Sequence, residues 1–173
     1  MKILLRPWLA KDLEPLVALA NNKKIFDTVR DAFPHPYTLK NAKEWLSLNV
    51  GITPVLNFVI EVDGNFAGSI GMVPKTDIVR GNMEIGYWLG EAYWNKGIVT
   101  TAVNLIVEYG FKQLGIIRIH TGVFEYNSAS MRVLEKCGFT KEGVFRKSVF
   151  KQNKIWDEIR YSKINPQFES QQA

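Results

Sequence analysis

Few side chains in this 173-residue chain can move protons near neutral pH, and they are widely spaced. Glu84 sits inside the apolar run Met83-Glu84-Ile85-Gly86-Tyr87-Trp88-Leu89. Desolvation there would raise a carboxyl pKa toward a value useful for proton transfer. The same carboxylate could instead pair with a base such as Arg118. His120 alternates with apolar residues in a second strand-like run, where a lone histidine is more often structural than catalytic. His35 lies in the loop Phe33-Pro34-His35-Pro36-Tyr37, better placed to touch a substrate than to take its proton. The single thiol, Cys137, stands at a helix end just before Gly138. A helix C-terminus disfavours a thiolate, which argues against a covalent cysteine intermediate.

A second kind of chemistry needs no charged side chain. From Met83 to Thr101 the sequence reads as an apolar strand, an acidic-aromatic corner, and a turn at Asn95-Lys96-Gly97 that opens directly into an amphipathic helix. Such a turn leaves several backbone N–H groups without helical partners, with the helix dipole behind them. The N–H groups from Asn95 to Thr100 can therefore converge on an anion, and the reading adopted is a pyrophosphate. Gly97 permits close approach or a positive φ. Lys96 could add charge or remain solvated.

The patterning supplies elements to position these groups. A strand is expected at 3–5, then a helix at 12–20 with Leu13, Leu16, Val17 and Ala20 on one stripe, and a short helix at 23–29. Thr38 is a good N-cap for a helix at 39–48, whose Leu39, Ala42, Trp45 and Leu46 share a face. Strands at 57–62 and 66–73 flank the hairpin signal Asp63-Gly64, and a strand at 83–89 completes an antiparallel meander. A long helix at 98–114 turns Ile98, Ala102, Leu105, Ile106 and Tyr109 inward and ends at Gly115. A strand at 118–123, a helix at 129–136 capped by Asn127-Ser128, and a hairpin of 139–150 with 155–163 follow. The one strand-helix-strand crossover implies one parallel pair. The fold class is therefore α/β in the broad sense (α+β), a mixed, mostly antiparallel central sheet flanked by helices. One domain is expected over 1–165, with a polar tail at 166–173.

Composition narrows the class. The hydrophobic fraction of 46% and charged fraction of 23% are ordinary for a globular domain. No apolar run reaches the roughly 20 residues of a membrane helix, and the N-terminus is broken too early by Arg6-Pro7 for a secretory leader. One cysteine excludes an internal disulfide and a cysteine metal cluster. The expectations are no metal, no membrane, a cytoplasmic setting, and a monomer or homodimer. The net charge of +5 comes from scattered residues rather than a dense basic run, which speaks against nucleic acid as a partner and suits a polyanionic ligand.

The corner Tyr93-Trp94-Asn95-Lys96-Gly97-Ile98-Val99-Thr100 resembles the acyl-CoA-binding loop of the GNAT (GCN5-related N-acetyltransferase) superfamily, whose signature is Gln/Arg-x-x-Gly-x-Gly/Ala. Trp94 holds the Gln/Arg place, Gly97 the first glycine, and Val99 the final Gly/Ala place. The string Glu84-Ile85-Gly86-Tyr87-Trp88, the helix Asn127-Ser128-Ala129-Ser130-Met131-Arg132-Val133-Leu134-Glu135-Lys136-Cys137-Gly138-Phe139 and Glu142-Gly143 resemble the ribosomal-protein-serine/alanine N-acetyltransferase branch. The resemblance covers about residues 3 to 163 in matching order.

It implies a GNAT fold splayed in the middle of its sheet. It also implies acetyl transfer from acetyl-CoA to a primary amine, directly in a ternary complex. The acceptor would be a protein N-terminal amine; a polyamine or aminoglycoside-like amine, or a non-catalytic CoA-binding module, are the alternatives. The resemblance assigns pantetheine to Tyr87, Trp88, Leu89 and Asn127. Pyrophosphate falls to Asn95, Lys96, Gly97, Ile98, Val99 and Thr100. Glu84 becomes the general base, Ser130 a cofactor contact and thiolate proton donor, and Phe33, His35 and Tyr37 the acceptor mouth, to which the hairpin around Tyr161 would add. Two positions depart from relatives: Leu134 stands where many have a tyrosine, and Gly122 where some have a fifth-strand glutamate.

Overall fold

The computed structural model describes residues 1–169. Its strands are β1 (Ile3–Arg6), β2 (Asn57–Val62), β3 (Asn65–Pro74), β4 (Asn82–Leu89), β5 (Arg118–Phe124), β6 (Thr140–Lys151) and β7 (Lys154–Ile164). They form one seven-stranded sheet in the order β1-β2-β3-β4-β5-β7-β6. The helices are α1 (Leu13–Ala20), α2 (Lys23–Phe26), α3 (Leu39–Asn49), α4 (Ile98–Lys112) and α5 (Ser128–Lys136). The pairs β1–β2, β2–β3, β5–β7 and β6–β7 are antiparallel, and β4–β5, bridged by α4, is parallel. This is the mixed, mostly antiparallel α+β sheet that the patterning implies. The chain forms two compact units, one of Met1–Gly71 with Tyr87–Ala102, the other of Met72–Gly86 with the chain from Val103 on.

In the first unit, Trp8, Leu16, Ala20, Tyr37, Ala42, Leu46, Val59 and Phe66 make one apolar cluster. Trp8 meets Trp45 edge-on at 5.8 Å and Phe66 at 5.6 Å between centroids. Thr38 caps α3 through a reciprocal box, its backbone N–H donating to Asn41 Oδ1 at 2.9 Å. The expected α3 face needs one correction: Leu39, in the first turn, is 48% exposed, and the buried residues are Ala42 and Leu46. The short second helix ends at Phe26 rather than 29.

Asp63 and Gly64, at φ +47° and +82°, form the two-residue turn between β2 and β3. Gly68 on β3 is required by close approach: a Cβ there would lie 2.3 Å from the Trp88 carbonyl oxygen and 2.9 Å from Leu89 Cα. Backbone atoms cannot swing aside, so Gly68→Ala is expected to destabilise the fold by about 2–4 kcal/mol. A denaturant titration showing an unchanged midpoint would refute it.

In the second unit, Val103, Ile106, Val107, Ile116 and Ile119 are buried. Leu105, expected to face inward on α4, is 37% exposed; the helix buries the stripe Ile98, Ala102, Val103, Ile106, Val107 instead. Gln152 and Asn153, at φ +54° and +58°, turn β6 into β7. Residues Pro166–Phe168 form a short 3-10 turn capped by Asn165, whose Nδ2–H donates to Ile116 O at 3.0 Å. The remainder of the expected tail, 170–173, lies outside the described residues.

Candidate functional site

The end of β4 and the corner after it belong to the first unit. Trp88 is half-buried, with Phe33 at 5.6 Å and Phe66 at 6.0 Å between ring centroids. Gly90 N–H donates to Ala67 O at 2.8 Å, and the Trp94 indole N–H donates to Leu89 O at 2.7 Å. Trp94 thus holds the corner to the strand end by a side-chain bond. Glu91, in the 3-10 turn between them, accepts from Asn22 Nδ2 at 2.9 Å and pairs with Lys24. That pairing, with Lys24 first and Asn22 second, holds the Glu91 carboxyl below the usual carboxylate range.

The turn has the geometry that an anion corner needs. Asn95 and Gly97 both sit in the left-handed region, at φ +59° and +73°, a turn backbone of the kind from which anion-binding concavities are built. The first helical bond of α4 is Thr101 N–H to Gly97 O at 3.2 Å. The N–H groups of Ile98, Val99 and Thr100 therefore precede the helical ladder. Nothing lies within 4 Å of a Cβ built on Gly97. Lys96 does not extend over this opening: its Nζ donates to Ala92 O at 2.8 Å.

The aromatic loop packs on the same unit. Tyr37 is only 6% exposed and belongs to the core, and burial pushes its hydroxyl up to about 12. Phe33 is half-buried, 4.9 Å from the Tyr37 ring. His35 is exposed and stacks on Phe26 at 5.5 Å. Of the three residues expected at the acceptor mouth, His35 and part of Phe33 are accessible.

The proton-carrying residues belong to the second unit. The β4–β5 ladder runs through three pairs, Asn82–Arg118, Met83–Ile119 and Glu84–His120, and ends there, although both strands continue. Glu84 and His120 are therefore direct neighbours on one face of the sheet. Glu84 is buried and pairs with Lys75, Nζ to Oε2 at 2.5 Å. Arg118, named above as a possible partner, pairs with Glu142. His120 is half-buried, and burial first, then Arg118, Lys75 and Arg160, hold its pKa below the ordinary 6.5 against the opposing pull of Glu84. An imidazole in that state is neutral at pH 7 and can accept a proton.

Asn127 caps α5 as expected, Oδ1 accepting from Ser130 N–H at 3.2 Å. Ser130 thus lies in the first helical turn. Leu134 is fully buried, so its position faces the core. Tyr161 is 1% exposed with its hydroxyl on Glu135 Oε1 at 2.9 Å, and so faces a core rather than an acceptor mouth. Cys137 is 3% exposed, and burial raises its thiol pKa, which agrees with the reading against a cysteine intermediate. Among the described residues no group of three His, Cys, Asp or Glu could hold a metal, and no helix is long and apolar enough to cross a membrane. Lys75 escaped the sequence reading because its pairing spans the β3–β4 connection, and no spacing rule announces it.

Comparison with known proteins agrees with this geometry. The chain is 49% identical to the probable N-acetyltransferase YjcK of Bacillus subtilis (strain 168) over 92 residues, 51% of this chain and 50% of the other. The chain thus spans about half the length of that relative. It is 27% identical over 157 residues to the spermidine N(1)-acetyltransferase of Escherichia coli (strain K12), covering 90% of this chain and 82% of the other. Among solved structures, the microcin C7 self-immunity acetyltransferase MccE in complex with acetyl-CoA and AMP superposes with a TM-score of 0.80 at 27% identity, over 94% of this chain and 92% of that one. The family model of the acetyltransferase (GNAT) domain matches residues 2–140. With its parallel β4–β5 pair, its left-handed turn into α4 and this match, the chain belongs to the GNAT acetyltransferase family.

Proposed function

We propose that the chain is an acetyl-CoA-dependent N-acetyltransferase, acting as one domain over 1–165 by direct transfer, with a protein N-terminal amine as acceptor. The observation that carries this reading is the corner at Asn95–Gly97, where Asn95 and Gly97 are left-handed and the space a Cβ on Gly97 would enter is open, just ahead of the first helical bond of α4. A pyrophosphate fits there without any side-chain charge, in line with Lys96 being turned away. The relative MccE holds acetyl-CoA in its solved structure, which supports the same ligand here.

The cosubstrate supplies the thioester carbonyl. Residues Asn95 to Thr100 hold its pyrophosphate, and Tyr87, Trp88, Leu89 and Asn127 hold the pantetheine arm. Glu84 and His120, neighbours across the ladder, take the proton that the acceptor ammonium must lose. Ser130 returns a proton to the departing thiolate. Phe33 and His35 contact the acceptor, with Tyr37 supporting them from the core.

A second reading, a polyamine acceptor, is favoured by the spermidine acetyltransferase likeness, which spans 90% of this chain. Thiolate release from acetyl-CoA, followed with a thiol reagent across peptides with free N-termini and a set of polyamines, separates the two. Thermal protection by CoA with no amine acetylated would remove the enzyme reading altogether.

A further inference from the structure

On one face of the second unit's sheet, the row Glu84–His120–Ser162–Thr140 crosses β4, β5, β7 and β6. Two residues along β5 and β7, and three along β6 across its register shift, the row changes character to Gly122–Arg160–Gly143, and Gly86 stands two residues beyond Glu84 on β4. Side chains two apart on a strand share a face. Three strands therefore put glycine on this face, and the one side chain rising from that floor is Arg160. Nothing lies within 4 Å of a Cβ built on Gly86 or on Gly143. At Gly122 the space is filled from β7: the would-be Cβ lies 2.0 Å from Glu158 Oε1.

Glu158 is 7% exposed, and its two oxygens are used differently. Oε2 takes Arg160 Nη2 at 2.6 Å, while Oε1 lies over Gly122. The Arg160 guanidinium is packed on the Phe145 ring at 4.7 Å, and its Nε–H is buried without a hydrogen-bond partner among the described residues. A buried donor without an acceptor is costly, and a carbonyl oxygen is what completes it. The Glu84–His120 row lies about 6.6 Å away, two strand residues at roughly 3.3 Å each. On that backbone spacing, an amine nitrogen about 2.8 Å from one group lies about 3.8 Å from the other.

We infer that Glu158 and Arg160 form a two-point site for the first residue of a free N-terminus. Glu158 Oε1 takes the ammonium and Arg160 Nε–H takes the adjoining carbonyl oxygen. This rests on the N-acetyltransferase reading and names its acceptor-binding residues. The ammonium then faces Glu84 and His120, to which its proton passes before the amine attacks. Gly122 is part of the device, because any side chain there displaces the carboxylate. The guanidinium also disfavours a polyamine, which has no carbonyl and carries further cations.

The test uses the full chain with acetyl-CoA and two acceptors, a hexapeptide with a free N-terminus and spermidine, reading thiolate release. Glu158→Gln and Gly122→Ala are each expected to raise the peptide KM about tenfold or more, leaving the acetyl-CoA KM within about twofold. Gly122→Ala keeps both charges, so it answers even if Glu158→Gln does not fold. An unchanged peptide KM in a folded variant overturns the site, as does preferential acetylation of spermidine. If the wild type acetylates neither amine, the enzyme reading fails. The site is then judged by calorimetric titration of the same peptide into the CoA-bound protein. Saturable binding that Gly122→Ala weakens tenfold upholds it, and absence of binding overturns it.

Discussion

Glu84→Gln is expected to lower kcat/KM for the acceptor amine by about 10²–10⁴-fold, the range that a positioned proton acceptor supplies. The substitution is nearly isosteric, so packing in β4 is preserved and the change is one of charge. The pH profile separates chemistry from structure. His120 has its pKa held below 6.5, chiefly by burial and by the charges of Arg118, Lys75 and Arg160, and Glu84 is the group pulling it back up. Activity that needs neutral imidazole is present above that lowered pKa and is lost as pH falls through it. The acid limb of kcat/KM should therefore lie below pH 6.5 in the wild type. Removing the Glu84 charge removes the upward pull, so the limb in Glu84→Gln should move to still lower pH, and His120→Gln should abolish it. A Glu84→Gln enzyme with unchanged kcat/KM and an unmoved limb would reduce Glu84 to the partner of Lys75.

The parts of this molecule that sequence makes legible are those decided locally. Thr38, the Asp63-Gly64 turn, Asn127 and Gly97 each follow from the conformation or hydrogen bond that one residue type supplies, and each is found as expected. The periodic stripes of α3 and α4 are found too, but their edges shift. Leu39 and Leu105 are apolar and at helical spacing, yet whether a stripe-edge residue is buried depends on what packs against it.

Pairings across long sequence distances were illegible. Lys75 with Glu84, Glu142 with Arg118 and Glu158 over Gly122 depend on strand order and register, which no local pattern encodes. The same limit governs the acceptor mouth. Tyr37 reads as a loop aromatic beside two prolines, and only the fold reveals it as a member of the Trp8 cluster. By sequence Gly122 reads as the loss of a carboxylate, whereas the structure puts a carboxylate from the neighbouring strand over that position.

Gly97→Val should raise the KM for acetyl-CoA about ten- to a hundredfold while leaving the acceptor KM nearly unchanged. At φ +73° a β-branched residue is strained, and holding it there costs on the order of 1–3 kcal/mol. Each 1.4 kcal/mol or so is a factor of ten in binding. The chain can relieve the strain only by leaving the left-handed region, which turns the N–H groups around Ile98 away from a common focus. The valine side chain itself enters space that is open in the native corner, since nothing lies within 4 Å of a Cβ there. Lys96→Ala provides the contrast. Its ammonium is folded back on Ala92 O at 2.8 Å, so its loss should change the acetyl-CoA KM by less than about threefold, with a weak salt dependence. If the order were reversed, with Lys96→Ala crippling and Gly97→Val mild, pyrophosphate binding would rest on side-chain charge, and the backbone corner would be only a helix start.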